Sequence, residues 1–246
     1  TLQKTIAQRL NQFGQPVTFI AETGGQNAMI VDSSALTEQV VTDIISSAFD
    51  SAGQRCSALR LLCLQADHAE AVLKMLKGAM QQLSIGQPYR LDTDVGPVID
   101  LQAQQQINRH IKKMKQRDCP IYQVHGDIEQ LNLNGTFVAP TLIELSDLNE
   151  LQQEIFGPVL HVITYQQGQI PSLIAAINAK GYGLTMGLHS RIDETINLVT
   201  DTAAVGNLYV NRNIVGAVVG VQPFGGEGLS GTGPKAGGPD YLYRLC

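Results

Sequence analysis

Cys56 stands in the stretch Ser51-Ala52-Gly53-Gln54-Arg55-Cys56-Ser57. A thiol is a good nucleophile only as thiolate, and a loop of backbone N–H groups near an arginine is expected to lower its pKa from the free value of about 8.5. Attack on an aldehyde carbon gives a thiohemiacetal whose oxyanion needs donors, and the Cys56 N–H is the local one. Loss of hydride to a nicotinamide would leave a thioester, whose hydrolysis needs a carboxylate to activate water. By residue type alone a lone cysteine is more often buried and structural than nucleophilic, so its surroundings must decide.

Those surroundings read as elements that could hold a loop rigidly. Leu36, Val40, Ile44 and Ala48 recur every four residues, with Val41 and Ile45 beside them, which predicts a helix ending near Gly53. Leu59-Arg60-Leu61-Leu62-Cys63-Leu64 is a nearly continuous apolar run of the buried-strand kind. Residues 1–12 read as a helix with Leu2, Ile6 and Leu10 on one face, and Val17-Thr18-Phe19-Ile20 as a strand. Further helices are predicted at 68–83, 100–117, 170–179 and 192–200. Strands are predicted at about 120–125, 136–144, 159–164, 184–188 and 205–210. Strand–helix–strand repetition with short links argues an α/β, three-layer fold around a mostly parallel sheet.

Four stretches carry a family resemblance. Phe49-Asp50-Ser51-Ala52-Gly53-Gln54-Arg55-Cys56-Ser57 resembles the nucleophile loop of the aldehyde dehydrogenase superfamily, and Phe19-Ile20-Ala21-Glu22-Thr23-Gly24-Gly25-Gln26-Asn27 resembles its glutamate signature, 34 residues earlier between Glu22 and Cys56. Glu154-Ile155-Phe156-Gly157-Pro158-Val159 and Gln222-Pro223-Phe224-Gly225-Gly226 follow in the family's order. Within the superfamily the resemblance is strongest to the Δ1-pyrroline-5-carboxylate, or glutamate semialdehyde, dehydrogenase module of bacterial bifunctional proline-utilization proteins.

The resemblance implies roles. Cys56 is the nucleophile and Glu22 the water-activating base. Glu154 binds the nicotinamide ribose hydroxyls of NAD, a suitable task for a carboxylate acceptor, and Phe156 packs beside the nicotinamide. The loop around Gly216 and Ala217, within an anchor segment 211–226, offers backbone amides to the substrate's α-carboxylate, with Ser57 assisting and Phe224 walling the aliphatic part. Residues 1–22 correspond to the last helix and strand of a nicotinamide-binding Rossmann domain, and 23–246 to the catalytic domain. Residues 1–22 carry no Gly-x-Gly-x-x-Gly phosphate-binding turn. The expected parent therefore adds the missing Rossmann half and a proline dehydrogenase domain carrying FAD, as a homo-oligomer in the cytoplasm or peripheral at the inner membrane.

Composition fits this reading. The 246 residues include 24 glycines, with 43% apolar and 16% charged residues and a formal net charge of −5. That is a globular balance without the basic footprint of a nucleic-acid binder. No apolar run reaches the roughly 18 residues of a membrane span, and no signal peptide is visible. The cysteines Cys56, Cys63, Cys119 and Cys246 are scattered without metal-ligand spacing, which argues a reducing compartment and no zinc site. Two alternatives stay open: oxidation of another semialdehyde such as succinate semialdehyde, for which Arg212 could meet a carboxylate, and a folded segment inactive on its own.

Overall fold

The computed structural model describes residues 2–124 and 134–246. Thr1 and residue 125, at the edges of the expected helix 1–12 and strand 120–125, lie outside them. Seven strands form one sheet in the order β3-β4-β5-β2-β1-β7-β8. These are β1 (Ala28–Val31), β2 (Leu61–Gln65), β3 (Ile121–Gln123), β4 (Thr141–Glu144), β5 (Val159–Tyr165), β7 (Thr185–His189) and β8 (Asn207–Val210). All neighbours pair parallel except β3, which runs antiparallel to β4 at the edge.

Strand periodicity sorts the core into two layers. Met29, Val31, Leu62, Leu64, Leu160 and Val162 face α2 (Thr37–Phe49) and α3 (Ala66–Gln81). Their chain neighbours Ala28, Ile30, Leu61, Cys63 and Ile163 face α4 (Leu101–Lys115), α5 (Ile170–Asn178) and α6 (Asp193–Thr202). The sheet is thus covered on both sides, as parallel sheets require. Each expected helix from 36 onward and each expected strand from 59 onward is present, with shifted ends.

The first twenty residues differ from expectation. The helix α1 spans only Leu2–Ala7 and buries no residue. Asn11 stops it: its Oδ1 accepts from the backbone of Phe13 and Gln15, turning the chain so that Leu10 bridges Pro16. Asparagine competes with helix in this way through its side chain. Residues 17–20 form no strand, although their residue types favour one. The segment instead leans on Thr232, whose hydroxyl reaches Phe19 O and accepts from Ala21 N. Within the main sheet, the strand that the pattern did not announce is β1, which lies between β2 and β7. Its four residues are all buried, so no alternation marks them.

A two-stranded ribbon of β6 (Tyr182–Gly183) and β9 (Glu227–Gly228) joins the glycine-rich 216–238 region to the main sheet, and α7 (Tyr241–Leu245) follows it.

Candidate active site

The nucleophile loop is set by how α2 ends. After Phe49 the chain enters a tight turn in which Ser51, Ala52 and Gly53 take φ values of 56°, 54° and 64°. Left-handed backbone is costly for the first two, and surrounding contacts must hold it. At Gly53 a Cβ would overlap the Gly157 carbonyl, so the nucleophile loop and the Glu154–Val159 motif touch backbone to backbone. Leu59 N then donates to Ser47 O at 2.9 Å, delivering the chain to β2 with Cys56 exposed at that strand's entry.

Asn27, at the entry of β1, fastens the loop from behind. Its Nδ2 donates to Cys56 O at 2.7 Å and Ala58 O at 2.9 Å, and its Oδ1 accepts from Thr185 N at 3.1 Å. Ser57 is buried, and its carbonyl accepts from Thr185 Oγ1 at 3.4 Å. What Ser57 brings to the sulfur is its backbone N–H.

Cys56, Glu22 and Glu154 come together electrostatically. Partial desolvation raises the Cys56 pKa, the Ser57 and Cys56 N–H groups pull it back, and the charges of Glu22 and Glu154 push it up again. This corrects the expected lowering: loop amides do act as anticipated, but burial and two carboxylates outweigh them. Glu22 reaches solvent yet is desolvated enough to raise its carboxyl above the ordinary value, against the Gly226 N–H that it accepts. The Glu22 segment is fixed by the 229–232 arm: Thr23 N donates to Ser230 O at 3.1 Å and Thr232 N to Ala21 O at 3.0 Å. Glu22 opens onto a cavity of about 870 Å³ that Phe19 and Leu229 also line.

Glu154 comes from the segment that meets Gly53 at Gly157. Its carboxylate sits against Gly24, where a Cβ would overlap Oε2, and accepts the Gly25 N–H. The paired glycines therefore exist for Glu154 as much as for Glu22. Burial raises the Glu154 pKa, with Arg60 opposing. Its Oε1 is buried without a hydrogen-bond partner among the described residues, the kind of orphan that a ligand hydroxyl would satisfy. Glu154 as a residue lines a cavity of about 640 Å³ together with Gln106, Arg109, His110 and Lys113. Phe156 stands partly exposed, its ring centroid 5.1 Å from the Arg60 guanidinium carbon. Glu154 and Phe156 are thus linked through Arg60, which pairs with the one and covers the ring of the other.

The anchor segment is built separately. Arg212 Nη2 donates to Gly216 O at 3.2 Å, and its guanidinium lies over the Tyr209 ring at 5.2 Å. Ile214 N donates to Ser47 Oγ at 3.1 Å, which ties the segment to α2, while Ala217 and Val219 are exposed. Phe224 is half-buried and pairs with Ala236 through two backbone bonds. Gly225 N donates to Asn207 Oδ1 at 3.2 Å, placing Gly226 for Glu22. The geometry groups Gly226 with Glu22, and ties Gly216 to Arg212 rather than to the thiol.

Sequence reasoning missed Arg60 and Asn27. The signal for Arg60 was present, a single charge inside the apolar run 59–64; Asn27 is the polar residue just before a buried strand.

An exposed cysteine at a strand entry, two carboxylates that act on it electrostatically and a three-layer, mostly parallel sheet are the features that comparison with known proteins places in a class. The aldehyde dehydrogenase family profile matches residues 2–246, and the chain belongs to that family. It is 66% identical over 247 residues to the bifunctional protein PutA of Escherichia coli (strain K12), covering 99% of this chain and 19% of that protein. A crystal structure of bifunctional proline utilization A superposes with a TM-score of 0.91 at 49% identity, over 99% of this chain and 24% of that one. A 1-pyrroline-5-carboxylate dehydrogenase from Thermus with bound NAD superposes at 0.78 and 35% identity, over 92% of this chain and 43% of that one. The chain spans about a fifth of the curated PutA proteins that it matches. Among the described residues no helix is long and apolar enough to cross a membrane.

Proposed function

We propose that this chain is the catalytic segment of an NAD-dependent L-glutamate γ-semialdehyde (Δ1-pyrroline-5-carboxylate) dehydrogenase, within a longer bifunctional polypeptide of proline catabolism. The observation that carries the reading is that an exposed Cys56 lies within the electrostatic reach of both Glu22 and Glu154. The likeness to PutA and to 1-pyrroline-5-carboxylate dehydrogenase supports the substrate.

In this reading Cys56 attacks the aldehyde carbon and its own N–H steadies the oxyanion. NAD, when bound, accepts the hydride. Glu154 and Phe156 orient the nicotinamide end by accepting ribose hydroxyls and bordering the ring. Glu22 then takes a proton from water as it attacks the thioester, and a carboxyl pushed upward by desolvation is a better base for this than an ordinary one. Gly216, Ala217 and Ser57 receive the substrate's α-carboxylate, with Phe224 along its methylenes. Arg212 is engaged with Gly216 O and Tyr209, so it shapes the loop, and backbone amides are left to meet the carboxylate.

Residues 1–22 belong on this reading to the end of a Rossmann domain and 23–246 to the catalytic domain. The parent carries the rest of the NAD site, an FAD-bearing proline dehydrogenase domain and a homo-oligomeric, cytoplasmic assembly. The decisive experiment is a kinetic screen of the full-length polypeptide against semialdehydes with NAD and NADP. Glutamate semialdehyde with NAD is expected to give the highest kcat/KM, and a preference for succinate semialdehyde would replace the substrate. The 246-residue chain alone is expected to show neither micromolar NAD affinity by calorimetry nor NADH production.

A further inference from the structure

We propose that Arg60 is the positioning residue that couples the nucleophile loop to the cofactor-facing glutamate, one buried guanidinium holding both in register. The inference rests on the dehydrogenase reading above. Arg60 is 0% exposed. Its Nη1 donates to Gly157 O at 3.0 Å and its Nη2 to Arg55 O at 3.2 Å, the carbonyl immediately before Cys56. The same Nη2 lies 3.7 Å from Glu154 Oε1, and the guanidinium covers Phe156. One side chain thus touches the residue before the nucleophile and three residues of the 154–157 motif.

Its backbone is fixed as firmly. Arg60 N donates to Asn27 O at 3.0 Å, and Arg60 O accepts from His161 N at 2.9 Å, so β1, the approach to β2 and β5 meet at this residue. The guanidinium therefore cannot drift with the loop that it clamps.

The chemistry explains why arginine stands there. A planar fork can serve two carbonyls and a carboxylate at once, which a lysine ammonium does with less geometric definition. A charge removed from water needs compensation, and Glu154 supplies it. Burial lowers the Arg60 pKa to about 10, while Glu154 and the Cys56 thiolate draw it back up, so the guanidinium stays charged at neutral pH. The cation stands beside Glu154, one of the two carboxylates that disfavour the thiolate. It sits at ion-pair distance from Glu154 Oε1 without hydrogen-bonding it, which leaves that oxygen's hydrogen-bond capacity for a ribose hydroxyl.

The test compares Arg60→Lys and Arg60→Met in the full-length polypeptide by two readouts. The first is the rate of Cys56 alkylation by iodoacetamide against pH, followed by peptide mass spectrometry, which needs no dehydrogenase activity. The second is the separation of kcat from the KM for NAD. Arg60→Met is expected to move the alkylation midpoint up by about one pH unit, roughly tenfold slower labelling at neutral pH. Adding Glu154→Gln should move it part of the way back. Arg60→Lys, which keeps the charge but not the fork, should hold the midpoint near wild type while raising the KM for NAD about tenfold more than it lowers kcat. A wild-type midpoint and a wild-type KM in the variants overturn the proposal. So does a loss that falls equally on kcat and KM and tracks a lowered thermal midpoint, because Arg60 would then only stabilise the fold. If Arg60→Met does not fold, the Lys variant decides by its KM. A wild-type polypeptide inert toward every semialdehyde would remove the dehydrogenase reading, and the alkylation profiles would still decide whether Arg60 governs the thiol.

Discussion

Asn27 donates its side-chain amide to the carbonyl of Cys56 at 2.7 Å, so the Cys56 backbone hangs from the entry of β1. The same amide serves Ala58 and Thr185 and is 2% exposed. Loop position and fold stability therefore share one side chain. Asn27→Ala strands a buried N–H and the Cys56 and Ala58 carbonyls, and it is expected to cost about 2–4 kcal/mol. Urea denaturation checks the cost, and a change below about 0.5 kcal/mol would mean that the loop finds other partners.

Gly24→Ala isolates the Glu154 contact. Gly24 has no left-handed backbone to strain, yet its new methyl would occupy the Glu154 carboxylate's place. In the full-length polypeptide the KM for NAD should rise about tenfold, with much less change in the rate of Cys56 alkylation. An unaltered KM would show that Glu154 holds no ribose.

The Cys56 thiol should be reachable but reluctant. Its pKa is raised by partial burial and by two carboxylates, so less thiolate is present at pH 7 than in an exposed peptide cysteine. Iodoacetamide labelling should therefore still be climbing about tenfold per pH unit at pH 8, and Glu22→Gln should shift the profile to lower pH. Cys56 should label ahead of Cys119, and Cys63, buried in β2, should not label in the folded protein. Faster labelling of Cys63 than of Cys56 would contradict the assignment.

Glu22→Gln separates the two halves of the reaction. Without its carboxylate, hydride transfer should survive while deacylation slows, so rapid mixing should show an NADH burst and a weak steady state, down about 10²–10⁴-fold. Undiminished turnover would remove Glu22 from the mechanism.

Acid should unfold the protein through its buried histidines. His110 and His161 share a 2.8 Å Nε2 contact, and burial lowers their pKa values to about 4 and about 3; His189, also buried, lies near 4. A folded pKa below the unfolded value of about 6.5 means that stability is complete above pH 6.5 and is lost as pH falls from there toward 4. Glu22, Asp43 and Glu154, with raised values, act in the opposite direction just above pH 4.5, so the informative measure is a difference between proteins. His161→Gln should reduce the slope of unfolding free energy between pH 6.5 and 5 by up to about 1.4 kcal/mol per pH unit. Equal slopes would show that His161 titrates alike in the folded and unfolded states.

Much of this protein is legible in its sequence because the relevant physics is local. Helical stripes such as Val40, Ile44 and Ala48 and apolar runs such as Leu61–Leu64 declare buried elements without knowledge of their neighbours, and the alternation of types fixes the layered parallel sheet. The motif order around Glu22, Cys56, Glu154 and Phe224 likewise survives in one dimension. Tertiary structure decided what depends on partners. Val17–Ile20 has strand-forming residues but no ladder to join, whereas Ala28–Val31 lacks alternation and becomes an interior strand between β2 and β7 because both faces are covered. The thiol's pKa followed the same rule: the loop amides could be read from Gly53 to Ser57, but not the desolvation or the two carboxylates brought from 34 residues before and 98 residues after. Arg60 looked like an interruption in an apolar strand until folding set Arg55 O, Gly157 O and Glu154 around it. Charge effects and hydrogen-bond satisfaction depend on distances in space, and those only the folded chain defines.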